Sequence, residues 1–264
     1  MTGNQQKILN TAIKSPMREI CHENVKEDFS TDEICQYANK NGSWAVFGDS
    51  HGVEIAFSLS RFLEKNNDGV FHFTYSGCEP SFGRELESDL GCSIWTQNAI
   101  SYINNNKIKN IVVSYRINQY LFGKHKYMYP DLPNLVSDSN RSQVWKSYLG
   151  VLQEFLDNDK NVYLVLQAPE LPKSINKMIA GSYDANLSEI KGVKRNWWNE
   201  RNKFVYDRLS EIPDKVRVID PATLFCNNNF CKASEKSIAL YFDDNHVSLY
   251  GSNLIVNEIF AEHQ

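Results

Sequence analysis

The sequence predicts an α/β protein of three layers, in which helices cover both faces of a mainly parallel, five-stranded sheet. Two observations carry that prediction. From about Ser43 onward, short apolar β-rich runs alternate with longer segments of helical period, the pattern left by parallel strands and their crossover helices. The chain also suits one such domain, with 264 residues, 42% of them apolar and 23% charged. That is enough to bury a sizeable core, and it excludes a disordered or fibrous chain.

Strand candidates fall at residues 44–48, 70–75, 110–115, 162–167 and 216–219. Ile55, Ala56, Leu59, Phe62 and Leu63 share one face of a first helix, and Trp95, Ala99, Tyr102 and Ile103 share one face of a second. Further helices are predicted over 141–156, 197–209 and 249–260. Five strands with crossover helices suggest a flavodoxin-like sheet, whose ligands bind beyond the carboxyl ends of the strands. Functional residues are therefore expected just after strands. Residues 1–42 are polar and read as an N-terminal extension packed on a domain covering 43–264. Residues 122–140, with Tyr127, Tyr129, Pro130 and Pro133, read as a long loop.

A net charge of −4, from 28 Lys and Arg against 32 Asp and Glu, supplies no basic excess to neutralise a phosphate backbone, so nucleic acid is not an expected partner. The longest apolar stretches, such as 162–166, fall far short of the roughly 20 residues that cross a bilayer. Six cysteines form three sequence-local pairs, Cys21 with Cys35, Cys78 with Cys92, and Cys226 with Cys231. An even number so spaced fits a disulfide framework in an oxidising compartment, and buried free thiols are the alternative. With no CxxC and no His at ligand spacing from a Cys pair, no metal site is expected. The start of the chain, residues 1–10, lacks the apolar core of a signal peptide. If the disulfides form, the chain is expected to be exported as part of a larger membrane protein or after loss of a leader.

Two motifs carry chemistry. Gly48-Asp49-Ser50-His51 follows the first strand and opens a helix. A Ser there sits at the carboxyl edge of the sheet, where backbone N–H groups can stabilise an oxyanion; simple helix capping by Ser50 is the plain alternative. A serine needs a base, and among six His only His246 has an Asp three residues earlier. In Asp243-Asp244-Asn245-His246, Asp243 is the expected orienting carboxylate and Asp244 the fallback. His51 points away from Ser50, because neighbours at a helix start diverge by about 100°. It is assigned a structural or substrate-contacting role.

Together these motifs resemble the SGNH (GDSL-type) hydrolase superfamily, and most nearly the periplasmic SGNH domains fused to membrane-bound acyltransferases of the acyltransferase-3 type, which O-acetylate bacterial surface glycans. The likeness runs from about Trp44 to the C-terminus. It includes Gly77-Cys78-Glu79-Pro80, the strand ending in Tyr115-Arg116 with Tyr120 beyond, and Cys226 and Cys231 ahead of Tyr241 to Ser248. The resemblance implies the SGNH hydrolase fold, with Ser50 as nucleophile, His246 as base and Asp243 as its partner. It implies an oxyanion hole from the N–H of Ser50, Gly77 and Asn118. The superfamily's Gly-x-Asn-Asp stands here as Arg116-Ile117-Asn118-Gln119, without the Gly and the final Asp. Arg116 and Tyr120, with His51, are candidate substrate contacts, although Arg116 equally suits a loop brace. Trp197 and Trp198 suit either a sugar-stacking face or a helix start packed on the core.

The implied function is transfer of an acetyl group through Ser50 to a hydroxyl of a lipopolysaccharide O-antigen sugar. The domain itself is expected to hold no cofactor; the acetyl group would come from a donor such as acetyl-CoA through a membrane acyltransferase domain, on the periplasmic side of the bacterial inner membrane. Two alternatives share the sequence: a carbohydrate O-acetylesterase, in which water takes the acetyl group, and a glycan-binding module with a vestigial site.

Overall fold

The computed structural model describes residues 3–23, 34–39, 41–84, 90–125, 128–181 and 188–261. Two helices, α1 (Gly3–Thr11) and α2 (Arg18–Cys21), precede strand β1 (Cys35–Ala38). There follow β2 (Trp44–Gly48), one 3-10 turn (Ser50–Gly52), α3 (Val53–Leu63), β3 (Gly69–Thr74), α4 (Leu90–Asn105), β4 (Asn110–Ser114), α5 (Ile117–Phe122), α6 (Asp138–Asp157) and β5 (Asn161–Val165). After these come α7 (Ile175–Ala180), β6 (Lys191–Lys194), α8 (Arg195–Arg201), α9 (Lys203–Tyr206), β7 (Arg217–Ile219) and α10 (Pro221–Phe225). Three short strands, β8 (Phe230–Lys232), β9 (Ser234–Glu235) and β10 (Ile238–Ala239), lead to α11 (Leu249–Phe260).

The main sheet runs in the order β1-β3-β2-β4-β5-β7. The five predicted strands are β2, β3, β4, β5 and β7, and all of them run parallel. The sixth corrects the five-stranded expectation: β1, from the N-terminal segment, pairs antiparallel with β3 on the edge, with Tyr37 opposite Val70. Four residues with one buried side chain leave no periodicity to read. The helix expected over 197–209 is broken at Asn202, which sits at φ −100°, ψ 4° between α8 and α9.

Both sheet faces are covered, so β2 and β3 are buried along their whole length instead of alternating. Ala45 and Phe47 pack with Phe73, Trp95, Val113 and Tyr148 under α4 and α6, while Val46 and Val112 pack with Leu59, Ile255 and Val256 under α3 and α11. The order places β2 between β3 and β4, so successive connections leave it in opposite directions and the crevice at its carboxyl end is the switch point of the sheet. Gly48, Thr74 and Ser114 align there. A Cβ on Gly48 would lie 1.8 Å from the Ser114 carbonyl oxygen. Only glycine lets the two strands meet this closely just ahead of Ser50.

All six cysteines are joined, as Cys21–Cys35, Cys78–Cys92 and Cys226–Cys231. Among the described residues, no helix is long and apolar enough to cross a membrane.

Candidate active site

Ser50 lies immediately beyond β2, as the first residue of the 3-10 turn that runs into α3. Its N–H has no preceding turn to bond to, which leaves it available as a donor. Asp49 caps the turn through the N–H of His51. The second oxygen of its carboxylate accepts from the Arg116 N–H and the Tyr120 hydroxyl, each at 2.9 Å. Burial pushes the Asp49 carboxyl above its ordinary range, against the pull of these three donors. Asp49 thus ties the turn that carries Ser50 to the end of β4.

His246 comes from a loop closed by the antiparallel bridge between Tyr241 and Val247, just before Ser248 caps α11. Its Nε2 is 2.8 Å from Ser50 Oγ, and its Nδ1 is 2.7 Å from Asp243 Oδ2. The other Asp243 oxygen accepts the backbone N–H groups of Asn245 and His246. Burial alone would raise the Asp243 carboxyl, but the hydrogen bond from His246 and the imidazole charge hold it well below its ordinary range. An ionised Asp243 accepts a hydrogen bond from Nδ1–H and leaves the Nε2 lone pair facing the Ser50 hydroxyl. The fallback, Asp244, faces elsewhere and accepts from the Asn245 side chain. Phe242 lies flat on His246, with ring centroids 5.4 Å apart and planes 6° apart. This arrangement can draw the proton from Ser50 as its oxygen attacks an acyl carbon.

The remaining sequence candidates divide. Gly77 lies in an exposed turn after β3 at φ +67°, a conformation open to glycine at no steric cost. Asn118 sits in the first turn of α5 and is fully buried, and its side-chain amide donates to Asn202 Oδ1 at 2.9 Å. Arg116, Tyr120 and His51, the candidate substrate contacts, all have side chains engaged inside the protein, which is the arrangement that the loop brace open to Arg116 and the structural role open to His51 call for. Arg116 is bonded to Glu170 and His125, Tyr120 to Asp49, and His51 Nε2 to Asn245 Oδ1 at 3.0 Å, its ring 4.8 Å from that of His246. His51 therefore braces the His246 loop. Trp197 and Trp198 are buried, with Tyr129 packed on the first. Tyr127 lies outside the described residues.

The model of the family of SGNH domains fused to AT3 domains matches residues 20–261. The chain belongs to this SGNH family. No curated protein sequence matches it. Among solved structures, the SGNH domain is similar to the periplasmic domain of the lipopolysaccharide acetyltransferase of Salmonella ser. Paratyphi A. The TM-score is 0.62 and the identity 13%, over 91% of this chain and 89% of that one. It is also similar to a Bacteroides fragilis NCTC 9343 protein assigned as an acylhydrolase, with a TM-score of 0.49 and 13% identity over 84% of this chain and 87% of the other. At such identities the first likeness shows the fold and nothing more.

Several residues of the SGNH domain that shape the site escape sequence reasoning. Glu170, fully buried, accepts from Arg116 and Arg201 and lies 3.1 Å from His125. Burial would raise its carboxyl, but Arg201, His125 and Arg116 hold it well below the ordinary range. Arg18 pairs with the buried Glu54 on α3. Ion pairs between distant elements have no period to betray them; only the oddity of a charge inside an apolar run, as at Glu54 and Glu170, marks one partner of each.

Proposed function

We propose that this SGNH domain transfers an acetyl group through Ser50 to a hydroxyl of a bacterial surface glycan, such as an O-antigen sugar of lipopolysaccharide. The observation that carries the proposal is the hydrogen-bonded line from Ser50 Oγ through His246 to Asp243, set in a family named for its fusion to AT3 domains. The fold likeness to a periplasmic domain of a lipopolysaccharide acetyltransferase favours the same substrate class.

In the proposed reaction Ser50 Oγ attacks the acetyl carbonyl carbon while its proton moves to His246 Nε2. The oxyanion is held by the N–H groups of Ser50 and Gly77 at the mouth of α3. Collapse expels the leaving group, which takes the proton from His246, and leaves acetyl-Ser50. A sugar hydroxyl then gives its proton to His246 and attacks the acetyl carbon, releasing the Ser50 hydroxyl. Asp243 stabilises the imidazolium in both halves. The acetyl group is proposed to come from acetyl-CoA by way of a membrane acyltransferase domain, with this domain on the periplasmic side of the inner membrane.

The test is incubation with an aryl acetate, where release is expected to vanish in Ser50→Ala. Release that persists in that variant removes Ser50 from the mechanism. Adding an O-antigen polysaccharide and finding acetylated sugar by mass spectrometry supports transfer, whereas free acetate alone assigns the second step to water.

A further inference from the structure

We propose that Arg18, on the N-terminal segment, is a positioning residue for Ser50, so that this segment is a working part of the site; the proposal rests on the reading of Ser50 as the nucleophile. Arg18 forks onto the Glu54 carboxylate through Nε and Nη2, and Nη2 also donates to the Ser50 carbonyl oxygen at 2.9 Å. Its guanidinium lies over the Phe242 ring, 5.2 Å from the centroid, and Phe242 is the ring that lies flat on His246. One cation therefore touches both the nucleophile turn and the histidine loop.

The contact is built, because the segment is fastened around it at several points. Ile13 O accepts the Leu249 N–H at 2.9 Å, Thr11 Oγ1 accepts the Ala239 N–H at 2.9 Å, and the Ser15 N–H donates to Glu54 at 3.1 Å. Cys21, three residues beyond Arg18, is bonded to Cys35 at the head of β1. Arg18 itself is mostly covered, and Glu54 is fully buried.

Two effects on chemistry follow from this geometry. The Ser50 carbonyl is attached to the Cα that also carries the N–H and the side chain, so holding it restrains the backbone from which the nucleophile and the oxyanion donor project. Arg18 also neutralises a carboxylate in the first turn of α3. Without it, Glu54 would leave an uncompensated negative charge in the first turn of the helix that Ser50 leads into. Both effects act on the acylation step and leave substrate binding alone.

The experiment measures kcat and KM for an aryl acetate, and the rate at which a fluorophosphonate labels Ser50, on the chain with its disulfides intact. Arg18→Met, assayed well below its unfolding temperature, is expected to lose about tenfold or more in kcat and in labelling, with KM within about twofold. Arg18→Lys is expected to recover part of the loss, since it keeps the cation and gives up the fork. Rates within about twofold of the parent in the folded Met variant, in turnover and in labelling, overturn the proposal. Where the Met variant does not fold, the Lys variant decides: a severalfold fall in kcat supports positioning, and unchanged rates overturn it. Failure of the underlying reading looks different. The parent chain itself then resists labelling at Ser50 and Ser50→Ala changes nothing, which removes the proposal along with the reading.

Discussion

The Tyr120 hydroxyl and the Asp49 carboxylate meet at 2.9 Å in the interior, where Asp49 holds the turn that presents Ser50. Tyr120→Phe leaves this buried carboxylate with two backbone donors and one fewer hydrogen bond. The expected cost is about 1–3 kcal/mol of unfolding free energy, read from urea titrations. An unchanged urea midpoint would show that Tyr120 does not brace Asp49.

Asp243 fixes the imidazole so that Nε2, 2.8 Å from Ser50 Oγ, is the unprotonated nitrogen. Asp243→Asn keeps the shape but supports the wrong tautomer. A loss of about 10³ to 10⁴-fold in kcat is expected, measured as the single-turnover rate of acetyl-Ser50 formation. A loss below tenfold would mean that His246 is oriented by other contacts, such as the Phe242 stack.

Buried histidines make stability depend on pH, and His22 and His72 are two of them, beside His51. His22 Nδ1 lies 2.8 Å from Thr74 Oγ1, and the same oxygen bonds His72, whose other nitrogen meets the Tyr37 hydroxyl. Burial pushes His22 down to about 4 and His72 to about 3, from 6.5 in the unfolded chain. The folded state keeps both neutral where the unfolded chain takes up protons. Their contribution is therefore full above pH 6.5 and is lost as the pH falls toward 4 and then 3, by about 1.4 kcal/mol per pH unit for each histidine. Urea midpoints between pH 7 and pH 4 measure the slope, and His22→Gln should flatten it. An equal slope in the variant would count against His22.

The Cys21–Cys35 bond closes a loop of 14 residues, and replacing both cysteines by alanine is expected to cost about 3 kcal/mol. The 5-residue loop of Cys226–Cys231 is expected to cost less when opened in the same way. Thermal unfolding of the two double variants gives the comparison. A larger loss at Cys226–Cys231 would mean that local strain or packing outweighs loop length.

The parts of the molecule legible in the sequence are those with a period or a scarce chemistry. The five parallel strands and the helix over Leu249–Phe260 could be read from apolar spacing. The meeting of Ser50 with His246 could be read because few residue types suit a nucleophile and a base beside strand and helix ends. Polar contacts across long separations could not. Arg18 and Glu54 stand 36 residues apart, and Asp49 and Tyr120 stand 71 apart. The contact of the Asn118 amide with Asn202, 84 residues away, could not be read either. Arg116 shows the limit from the other side, since its guanidinium is taken up by Glu170 and His125, residues that carry no motif.

Ser50 and His246 are separated by 196 residues. On the proposed reading of Ser50 as nucleophile and His246 as base, a chain emerging N-terminus first presents its serine long before its base exists. Such a nascent chain stays inert toward acyl donors until the last helix has docked beside β2. No early fragment can be acylated at Ser50 by this mechanism, and acylation at that serine doubles as a report that the whole domain has closed.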